Sequence, residues 1–258
     1  MFRPRVIPCL LLRDNGLVKS IQFKDHRYIG DPINAIKIFN DKKADELIFL
    51  DINASKENRI PSLEFIKQLG DECNMPFAVG GGIKSIEDIK SIINAGAEKV
   101  CINTAAVQNP QFIKEAVEVF GSSTIVVCMD IKKKFLGKKQ IYLQNGSKST
   151  GIDPLQFANK MVEMGAGEIM VNSIDHDGTM KGYDIELIEK IAKSIPIPVI
   201  ALGGAGNMNH MLETAKKAKA SALAAGSMFV YHGPRNAVLI NLPTRKEVSE
   251  SFKSVVQV

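Results

Sequence analysis

The sequence predicts an α/β fold, a (βα)8 TIM barrel that forms a single domain over residues 1–258. Eight short apolar runs alternate with helical patterns, which is typical of parallel strands covered by helices. The glycine turn Gly81-Gly82 recurs at Gly203-Gly204, an offset of nearly half the chain length. Such a repeat predicts two half-barrels, about 1–122 and 123–258. The chain is 45% hydrophobic, which is enough for one large core.

The predicted strands share a continuous apolar character and end at turns or polar residues. They are Val6–Leu12, Glu46–Asp51, Phe77–Gly80, Lys99–Asn103, Ile125–Asp130, Glu168–Asn172, Pro198–Leu202 and Ala222–Ala225. Helix starts are indicated by a capping residue, at Asp31-Pro32, at Ser85 before Ile86–Asn94, and at Asp153-Pro154. Because a TIM barrel carries its active site at the carboxyl ends of its strands, residues that follow strands are the first functional candidates.

Two inserts interrupt this alternation. The first, Asp14–Gly30, is predicted to be a long loop after the first strand. The second, Ile131–Ile152, is predicted to contain a hairpin built on Gln140–Leu143 and the turn Asn145-Gly146. Long loops in compact domains are usually functional, although a run of lysines also fits a solvated surface. The second insert carries Lys132, Lys133, Lys134, Lys138 and Lys139.

Composition excludes several classes of function. The net charge of +5 is compatible with an anionic substrate, and 6% aromatic residues without a basic–aromatic patch argue against nucleic acid. No apolar run reaches about 18 residues, and Met1–Arg5 lacks the apolar core of a signal peptide, so we expect no membrane association and a cytoplasmic location. The cysteines lack metal-ligand spacing, and we expect buried thiols, no metal and no cofactor. They are Cys9, Cys73, Cys101 and Cys128.

The two glycine turns suggest a phosphorylated ligand. Glycines directly after a strand let backbone N–H groups approach an anion closely, and the next helix adds its dipole. One turn in each half predicts a ligand with two phosphate groups, whereas the alternative is that both are only tight turns. Lys19, in the first insert, could reach a phosphate as a point charge.

One aspartate is the leading candidate for acid–base chemistry. Asp130 ends the fifth strand at the predicted catalytic face, where an unpaired buried carboxylate is costly, so it is either a general acid/base or a cap for the following loop. Its counterpart in the repeat is Leu11, which cannot transfer a proton. Asp51, after the second strand, is a further inward candidate. The Asp-His-Asp motif around His176 is too weak to predict a metal.

Charged residues stand at the amino ends of four predicted strands. They are Arg5, Glu46, Lys99 and Glu168. Two positive and two negative side chains at the bottom of a barrel could form a salt-bridged ring. The ring could serve only stability, or it could act as a gate for a small neutral molecule, and spacing alone leaves both alternatives open.

Five motifs resemble the cyclase subunit of imidazole glycerol phosphate synthase, the HisF family. They are Phe77–Ile83, Lys99–Ala106, Gly165–Glu168, Ser173–Thr179 and Gly203–Gly206, and the resemblance runs from about Arg5 to Phe229. It implies a glutaminase (HisH-like) subunit docked on the bottom of the barrel as a heterodimer. It also implies ammonia passing through the barrel to a bis-phosphorylated ribulosyl substrate at the top, which is cyclised and cleaved.

The resemblance also implies roles for individual residues. Asp130 matches one of the family's two catalytic aspartates, and Glu98 matches a contact with the glutaminase. One phosphate region is matched by Lys19, Gly82, Asn103 and Thr104. The other is matched by Asp177, Gly178, Gly203, Gly204 and Ala225, to which the internal repeat adds Gly226. The family's bottom gate is matched by Arg5, Glu46, Lys99 and Glu168.

Three positions depart from the family pattern. Leu11 replaces the first catalytic aspartate, Leu202 replaces a polar residue beside the second phosphate, and Ser20 replaces a glycine. Losing one of two concerted acid–base groups typically costs several orders of magnitude in rate. The lost aspartate beside a retained gate resembles a branch of the family in surface-polysaccharide (lipopolysaccharide) pathways. That branch supplies ammonia to a separate sugar amidotransferase that builds acetamidino groups, and Phe229–Pro243 resembles its ending.

Three interpretations therefore stand. The leading one is an ammonia-conducting subunit of a glutamine amidotransferase complex, with weak or no cyclase activity of its own. The second is a genuine cyclase of histidine biosynthesis that uses Asp130 with a relocated acid such as Asp51. The third is a non-catalytic scaffold subunit whose barrel is blocked.

Overall fold

The chain folds into a closed barrel of parallel strands surrounded by helices, seen in a computed structural model that describes residues 3–134, 137–253 and 255. Met1 and Phe2, which belong to the amino-terminal stretch discussed above, lie outside the described residues. The strands are β1 (Arg5–Arg13), β2 (Gly16–Ile21), β3 (Lys24–Gly30), β4 (Leu47–Asp51), β5 (Phe77–Gly80), β6 (Lys99–Ile102), β7 (Ile125–Lys133), β8 (Lys139–Leu143), β9 (Lys148–Ser149), β10 (Glu168–Ser173), β11 (Val199–Leu202), β12 (Ala222–Ala225), β13 (Tyr231–His232) and β14 (Ala237–Val238).

Helices follow the barrel strands and cover them. They are α1 (Pro32–Lys42), α2 (Leu63–Glu72), α3 (Ile86–Asn94), α4 (Thr104–Gln108), α5 (Pro110–Phe120), α6 (Pro154–Glu163), α7 (Ile185–Ser194), α8 (Met208–Ala218) and α9 (Arg245–Phe252). The predicted starts are confirmed, because the side chains of Asp31, Ser85 and Asp153 each cap the helix that follows. Each cap satisfies backbone N–H groups that a helix start otherwise leaves unpaired.

Eight parallel strands close the barrel in the order β10, β11, β12, β1, β4, β5, β6 and β7, with β7 returning to β10. These are the eight strands that the sequence predicts, and the (βα)8 TIM barrel is confirmed. Within the described part of the chain, no helix is both long and apolar enough to cross a membrane.

The first insert corrects a prediction. Asp14–Gly30 was expected to be a loop, but β2 and β3 within it form an antiparallel hairpin. The strand β2 also pairs antiparallel with β1, where Val18 lies opposite Leu11. The chain reverses at Gln22 and Phe23, which both adopt positive φ (51° and 63°). Two successive left-handed residues make a tight turn that suits a hairpin, and neither residue is the glycine or asparagine that would signal it in sequence.

The second insert folds as predicted. The strand β8 pairs with β7 and then with β9, and the turn between β8 and β9 contains Asn145 and Gly146. The side chain of Asn145 donates a hydrogen bond to the carbonyl oxygen of Ile52 at 2.7 Å. This hairpin therefore reaches across the barrel mouth to the loop that follows β4.

Alternation along the barrel strands separates two apolar clusters. Outward side chains pack beneath the helices, while the inward ones form a smaller cluster inside the barrel. The inner cluster consists of Ile7, Cys9, Ile48, Ala78, Cys101, Val126, Cys128, Met170, Ile200, Leu202, Ala222 and Ala224, with Leu50 packed against it. An apolar layer thus lies between the charged residues at the strand amino ends and the residues at the carboxyl ends.

Candidate functional site

A cavity of about 310 Å³ opens at the carboxyl ends of the barrel strands. It brings together most of the residues for which the sequence predicts a role at this face. They are Leu11, Lys19, Gly82, Asn103, Thr104, Asp130, Asp177, Leu202 and Gly226. The remaining predicted phosphate residues, Gly178, Gly203, Gly204 and Ala225, lie in the adjoining turns and strand end without lining this cavity.

Asp130 is held by two amide side chains. Asn103 donates through Nδ2 to Oδ2 at 2.7 Å, and Asn172 donates through Nδ2 to Oδ1 at 2.9 Å. Asn172 is the register neighbour of Asp130 on the adjacent strand β10. Burial raises the pKa of Asp130 to about 7, and the nearby Asp177 contributes, although both amide bonds oppose the rise. A carboxyl group that titrates near neutrality can exchange a proton at physiological pH.

Three leucines stand at strand ends around the cavity. Leu11 of β1 is the register neighbour of Leu50 of β4, and Leu202 of β11 is the register neighbour of Asn172. All three leucines line the cavity. Leucines therefore face the cavity from the ends of β11, β1 and β4, Asp51 at the end of β4 also lines it, and polar side chains face it from β6, β7 and β10.

Lys19 lies inside the mouth of the barrel. Its Nζ donates to the carbonyl oxygen of Cys9 at 2.7 Å, and the residue is only 5% exposed. A Cβ on Gly226 would come within 2.1 Å of this Nζ, so the absence of a side chain there provides the space for the lysine. Burial lowers the pKa of Lys19. The structure thus places Lys19 beside Gly226, a residue of the second predicted phosphate region.

Asp177 is a second carboxyl group on the cavity. Burial raises its pKa to about 6, whereas Lys19, the Ser20 hydroxyl and the Phe23 backbone N–H favour the charged form. The loop that carries it also contacts the first hairpin, since the Gln22 N–H donates to the Asp177 carbonyl oxygen at 2.9 Å. Asp177 is therefore fixed between the β2–β3 hairpin and the loop after β10.

Asp51 is occupied by structural interactions. Arg59 Nη1 lies 2.6 Å from Asp51 Oδ2, and Oδ1 accepts the backbone N–H groups of Asn53 and Ala54 at 3.0 and 3.1 Å. Both carboxylate oxygens of Asp51 are therefore engaged by partners within the chain. This arrangement does not suit the relocated acid that the sequence suggested.

The predicted phosphate glycines have strict backbone requirements. Gly82 has a φ of +68°, and a Cβ there would lie 1.8 Å from the carbonyl oxygen of Arg59. A Cβ on Gly178 would lie 2.1 Å from the oxygen of Ser20, and one on Gly204 would lie 2.1 Å from that of Gly182. Close backbone packing by itself explains these glycines, so the tight-turn alternative and the phosphate role are both compatible with the geometry.

Four charged side chains close a ring at the opposite end of the barrel. Arg5 contacts Glu46 through Nη1 and lies 2.7 Å from Glu168 through Nη2. Lys99 Nζ lies 3.2 Å from Glu46 Oε1 and 3.0 Å from Glu168 Oε1. Each residue contacts two of opposite charge, and the Glu46 side chain is only 4% exposed. The ring suggested by the sequence is therefore present and carries no net charge.

Other predicted features have structural partners within the chain. His176 places Nδ1 2.8 Å from the carbonyl oxygen of Gly182, and Glu98 accepts the backbone N–H of Phe77 at 2.8 Å. Among the described residues, no group of three histidine, cysteine, aspartate or glutamate side chains is arranged to hold a metal ion. Cys9, Cys101 and Cys128 are buried inside the barrel, and burial raises the pKa of Cys9 to about 12.

Sequence reasoning missed two residues of this site. Asn172 was predicted only as the last residue of a strand, and Arg59 was not predicted as a site residue. The alternation Glu168, Met170, Asn172 along β10 could have indicated that Asn172 points inward beside Asp130. The pairing of Arg59 with Asp51 depends on the path of the loop after β4, which carries no comparable periodic signal.

Comparisons with known proteins agree with this geometry. A family model described as histidine biosynthesis protein matches residues 5–234. A Leptospira borgpetersenii protein, provisionally named imidazole glycerol phosphate synthase subunit HisF, is 48% identical over 98% of this chain and 100% of its own length. A Pseudomonas aeruginosa protein, provisionally named subunit hisF2 of the same enzyme, is 48% identical over 94% of this chain and 97% of its own length.

A third relative carries its name without that qualification. The imidazole glycerol phosphate synthase subunit HisF of Streptococcus mutans is 41% identical over 90% of this chain and 92% of its own length. The family match and these nearly full-length similarities cover both the cavity and the charged ring. The chain therefore belongs to the histidine biosynthesis protein family and, within it, to the HisF family of imidazole glycerol phosphate synthase subunits.

Proposed function

We propose that this chain is the ammonia-conducting synthase-type subunit of a glutamine amidotransferase complex and that it has little or no cyclase activity of its own. A glutaminase (HisH-like) subunit docks at the charged ring, and ammonia passes along the barrel interior to the cavity. A separate sugar amidotransferase takes up the ammonia to form an acetamidino sugar of a surface polysaccharide. The complex works in the cytoplasm.

The observation that carries this proposal is the leucine at position 11. Three strand ends contribute leucines to the cavity, Leu11, Leu50 and Leu202, and none of these can transfer a proton. Asp51, which directly follows Leu50 at the end of β4, forms a salt bridge with Arg59. Concerted acid–base chemistry at this cavity therefore lacks a partner at the position where the family has one.

The rest of the barrel supports transport. The charged ring is intact and neutral overall, and above it the barrel interior is apolar except for three thiols. Burial keeps the Cys9 thiol protonated, because its pKa is raised to about 12, so the inner layer carries no charge that would trap ammonium. An uncharged interior between two polar ends suits the passage of a small neutral molecule.

Isotope competition tests the proposal. The glutaminase, this chain and the acceptor enzyme are combined with glutamine labelled with ¹⁵N in the amide and with excess unlabelled ammonium in solution. Conduction predicts that the label in the product exceeds the value for full mixing with the ammonium pool. Product nitrogen that matches the mixed pool would contradict the proposal.

A genuine cyclase of histidine biosynthesis is the second candidate. Asp177 favours it, because this second cavity carboxyl group has a pKa raised to about 6 and stands near Asp130. The glycine turns would then hold a bis-phosphorylated substrate. This candidate predicts turnover of the cyclase substrate that is lost in both Asp130→Asn and Asp177→Asn.

A scaffold subunit is the third candidate. The closure of the ring by four salt bridges favours it, because a permanently closed ring would block the barrel. It predicts that replacing Lys99 changes nothing in ammonia transfer. The isotope experiment separates it from conduction, because a blocked barrel leaves the product in equilibrium with the ammonium pool.

A further inference from the structure

The second insert carries all of the protein's excess positive charge. Residues 131–152 contain six lysines and no aspartate or glutamate, whereas the whole chain has a net charge of +5. The rest of the chain therefore carries a net charge of −1. Charge that is concentrated in one insert attracts an oppositely charged partner to that insert, which charge scattered over the surface would not do. The proposed passage of ammonia gives this insert no role.

One face of the β7–β8 hairpin is covered by the protein itself. Residues that lie opposite each other in an antiparallel pair share a face, and so do residues two apart along a strand. By this rule Ile131, Ile141 and Leu143 share a face, and all three are buried. Lys139 extends the same face and forms a salt bridge with Asp184 at 2.7 Å. This face is therefore not available to a partner.

The other face continues the wall of the cavity outwards. It begins at Asp130, which lines the cavity and lies opposite Tyr142 in the register. Lys134 extends this register past the strand ends, because its N–H donates to the carbonyl oxygen of Lys138 at 2.9 Å. Beyond the Asp130–Tyr142 pair, the face consists of Gln140 and three lysines, the rim lysines Lys132, Lys134 and Lys138. The rim lysines thus stand above the cavity, on the side of β7 that Asp130 shares.

The rim lysines are not neutralised by acidic side chains of the described residues. In that part of the chain, the salt bridge of this hairpin is the one between Lys139 and Asp184, on the opposite face. Lys132 instead places Nζ 5.9 Å from the centre of the Tyr142 ring, and the other two rim lysines are exposed. The aromatic ring orders the lysine without cancelling its charge. The face therefore presents three positive charges next to the cavity mouth.

We propose that the rim lysines, together with Tyr142, form the docking surface for the acceptor amidotransferase, which presents an acidic surface to them. This inference rests on the proposed function. Ammonia that escapes from the cavity into neutral water is protonated and diluted, so the acceptor has to hold its active site over the cavity mouth and exclude water there. The face that rises from Asp130 lies where such a partner makes contact, whereas the glutaminase docks at the opposite end of the barrel.

An acidic protein fits this end of the barrel better than a flat anionic membrane. The first insert lies at the same end and exposes Asp14 and Asp25, so the charge around the mouth is mixed. A bilayer would meet both inserts at once, and these aspartates would oppose its negative surface. A folded partner can instead match each insert separately. The first insert also exposes 66% of Tyr28, and aromatic side chains are enriched at protein interfaces.

Binding of the purified acceptor enzyme to the whole chain tests this surface. The rim variant is Lys132→Gln, Lys134→Gln and Lys138→Gln combined. The helix variant removes the same charge from exposed positions on α2, α5 and α7 by combining Lys67→Gln, Lys114→Gln and Lys190→Gln. We expect the dissociation constant to rise about tenfold in the rim variant and less than about twofold in the helix variant, because three ordinary surface ion pairs are lost only in the first.

Two controls make the comparison decisive. Binding of the glutaminase should be unchanged in both variants, which verifies that the barrel is folded. Vesicles that contain phosphatidylglycerol show whether the lysines serve a membrane instead. Equal dissociation constants for the acceptor in the rim and helix variants would overturn the proposal, and so would an unaltered chain that does not bind the acceptor. Rim-dependent binding to vesicles without rim-dependent binding to the acceptor would overturn it as well.

The outcome is separable from that of the proposed function. Rim-dependent binding of the acceptor, with product nitrogen that matches the mixed ammonium pool, would keep this surface and reject conduction. An excess of glutamine-derived label that is the same in the rim variant, with unchanged binding of the acceptor, would keep conduction and reject this surface.

Discussion

Two side chains at the strand ends define the chemistry of the cavity. Asp130 is held by two amides and has a pKa raised to about 7, whereas Leu11 faces the cavity beside Leu50. A proton can move to and from the first, and none can move at the second. Proton transfer at this cavity therefore depends on Asp130 and on its neighbour Asp177, because position 11 contributes no carboxyl group.

Asp130 makes stability depend on pH in a defined direction. The folded protein holds the Asp130 proton more tightly than the unfolded chain, since the pKa rises from 3.8 to about 7. Stability from this group is therefore lost as pH rises from about 4 to about 7. Relative to Asp130→Asn, we expect the unfolding free energy to fall by up to about 1.4 kcal/mol per pH unit in this window, measured by urea denaturation. Parallel pH profiles for the two proteins would contradict this.

Restoring an aspartate at position 11 should not improve the proposed role. In Leu11→Asp, the new carboxylate would face Leu50 and the β2 hairpin, and we expect a loss of about 1–3 kcal/mol in unfolding free energy. We expect glutamine-driven transfer to the acceptor to stay at or below its original rate. Leu11→Asn is the matched control, because asparagine has nearly the size and shape of aspartate but no charge. A faster transfer in Leu11→Asp than in this control would argue that the site still performs the lost chemistry.

Some residues of the site could be predicted from the sequence and others could not. Asp130 was identified from its position at a strand end, Leu11 as its counterpart in the repeat, and Lys19 from its place in the first insert, and all three line the cavity. The burial of Lys19 against the Cys9 carbonyl could not be predicted, because it depends on the fold of a hairpin that was read as a loop. The amide contacts to Asp130 depend on strand register, which a single sequence does not specify.

In the turns after the barrel strands, glycine is required where the backbone of another segment packs closely against the turn. Gly82 and Gly151 both adopt positive φ, +68° and +78°, but only Gly82 has a backbone oxygen where a Cβ would stand. The turns at Gly82 and Gly203-Gly204 were predicted because glycine pairs after strands have a strong local signal. The β2–β3 hairpin was missed, because its turn residues carry no such signal.

Alanine substitutions at these two glycines separate clash from conformational strain. We expect Gly82→Ala to lower the unfolding free energy by about 2–5 kcal/mol, since the left-handed strain adds to the contact with Arg59. Gly151→Ala should lose only about 1–2 kcal/mol, because nothing in the described chain lies within 4 Å of its Cβ position. Chemical denaturation measures the unfolding free energy of both variants. Equal losses would contradict the prediction, because they would show that the backbone at Arg59 moves away from the new Cβ at no cost.

The charged ring belongs to four different strands and was predicted from a shared position alone. Arg5, Glu46, Lys99 and Glu168 each stand at the amino end of a barrel strand, and parallel strands bring such ends together. The four ion pairs that close the ring follow from the common position of these residues at the amino ends of parallel strands. The opening of the ring for ammonia stays a prediction, as does the division of the chain into half-barrels at about 1–122 and 123–258.

Lys99→Met tests the ring. The variant removes two salt bridges and leaves Arg5 between Glu46 and Glu168, so the unfolding free energy should fall by about 1–3 kcal/mol. We expect the excess of glutamine-derived label in the product to fall, while transfer from free ammonium is unchanged. Lys217→Met is the control, because it removes an exposed salt bridge with Glu213 on α8. Equal label in the two variants would favour the scaffold alternative.

Across the whole molecule, the two ends of the barrel differ in chemical character. The amino-end ring is complete, the interior is apolar and uncharged, and the carboxyl-end cavity combines a titrating carboxyl group with a leucine wall. The fold could be predicted nearly in full, because eight apolar runs and their helices are local signals. The character of the cavity could be predicted only where a residue departed visibly from the family, as at Leu11 and Leu202.

On the proposed function, this barrel has the path for ammonia and lacks the cyclase chemistry. The most direct measurement is turnover of the histidine-pathway substrate by the purified chain with saturating ammonium at alkaline pH. Free ammonia replaces the glutaminase, so the assay reports on the cavity alone. We expect a folded protein with turnover several orders of magnitude below that of an ordinary enzyme, because Leu11 stands where the family that the sequence resembles has one of two concerted groups. Turnover at ordinary enzyme rates would contradict it and identify the chain as a working synthase.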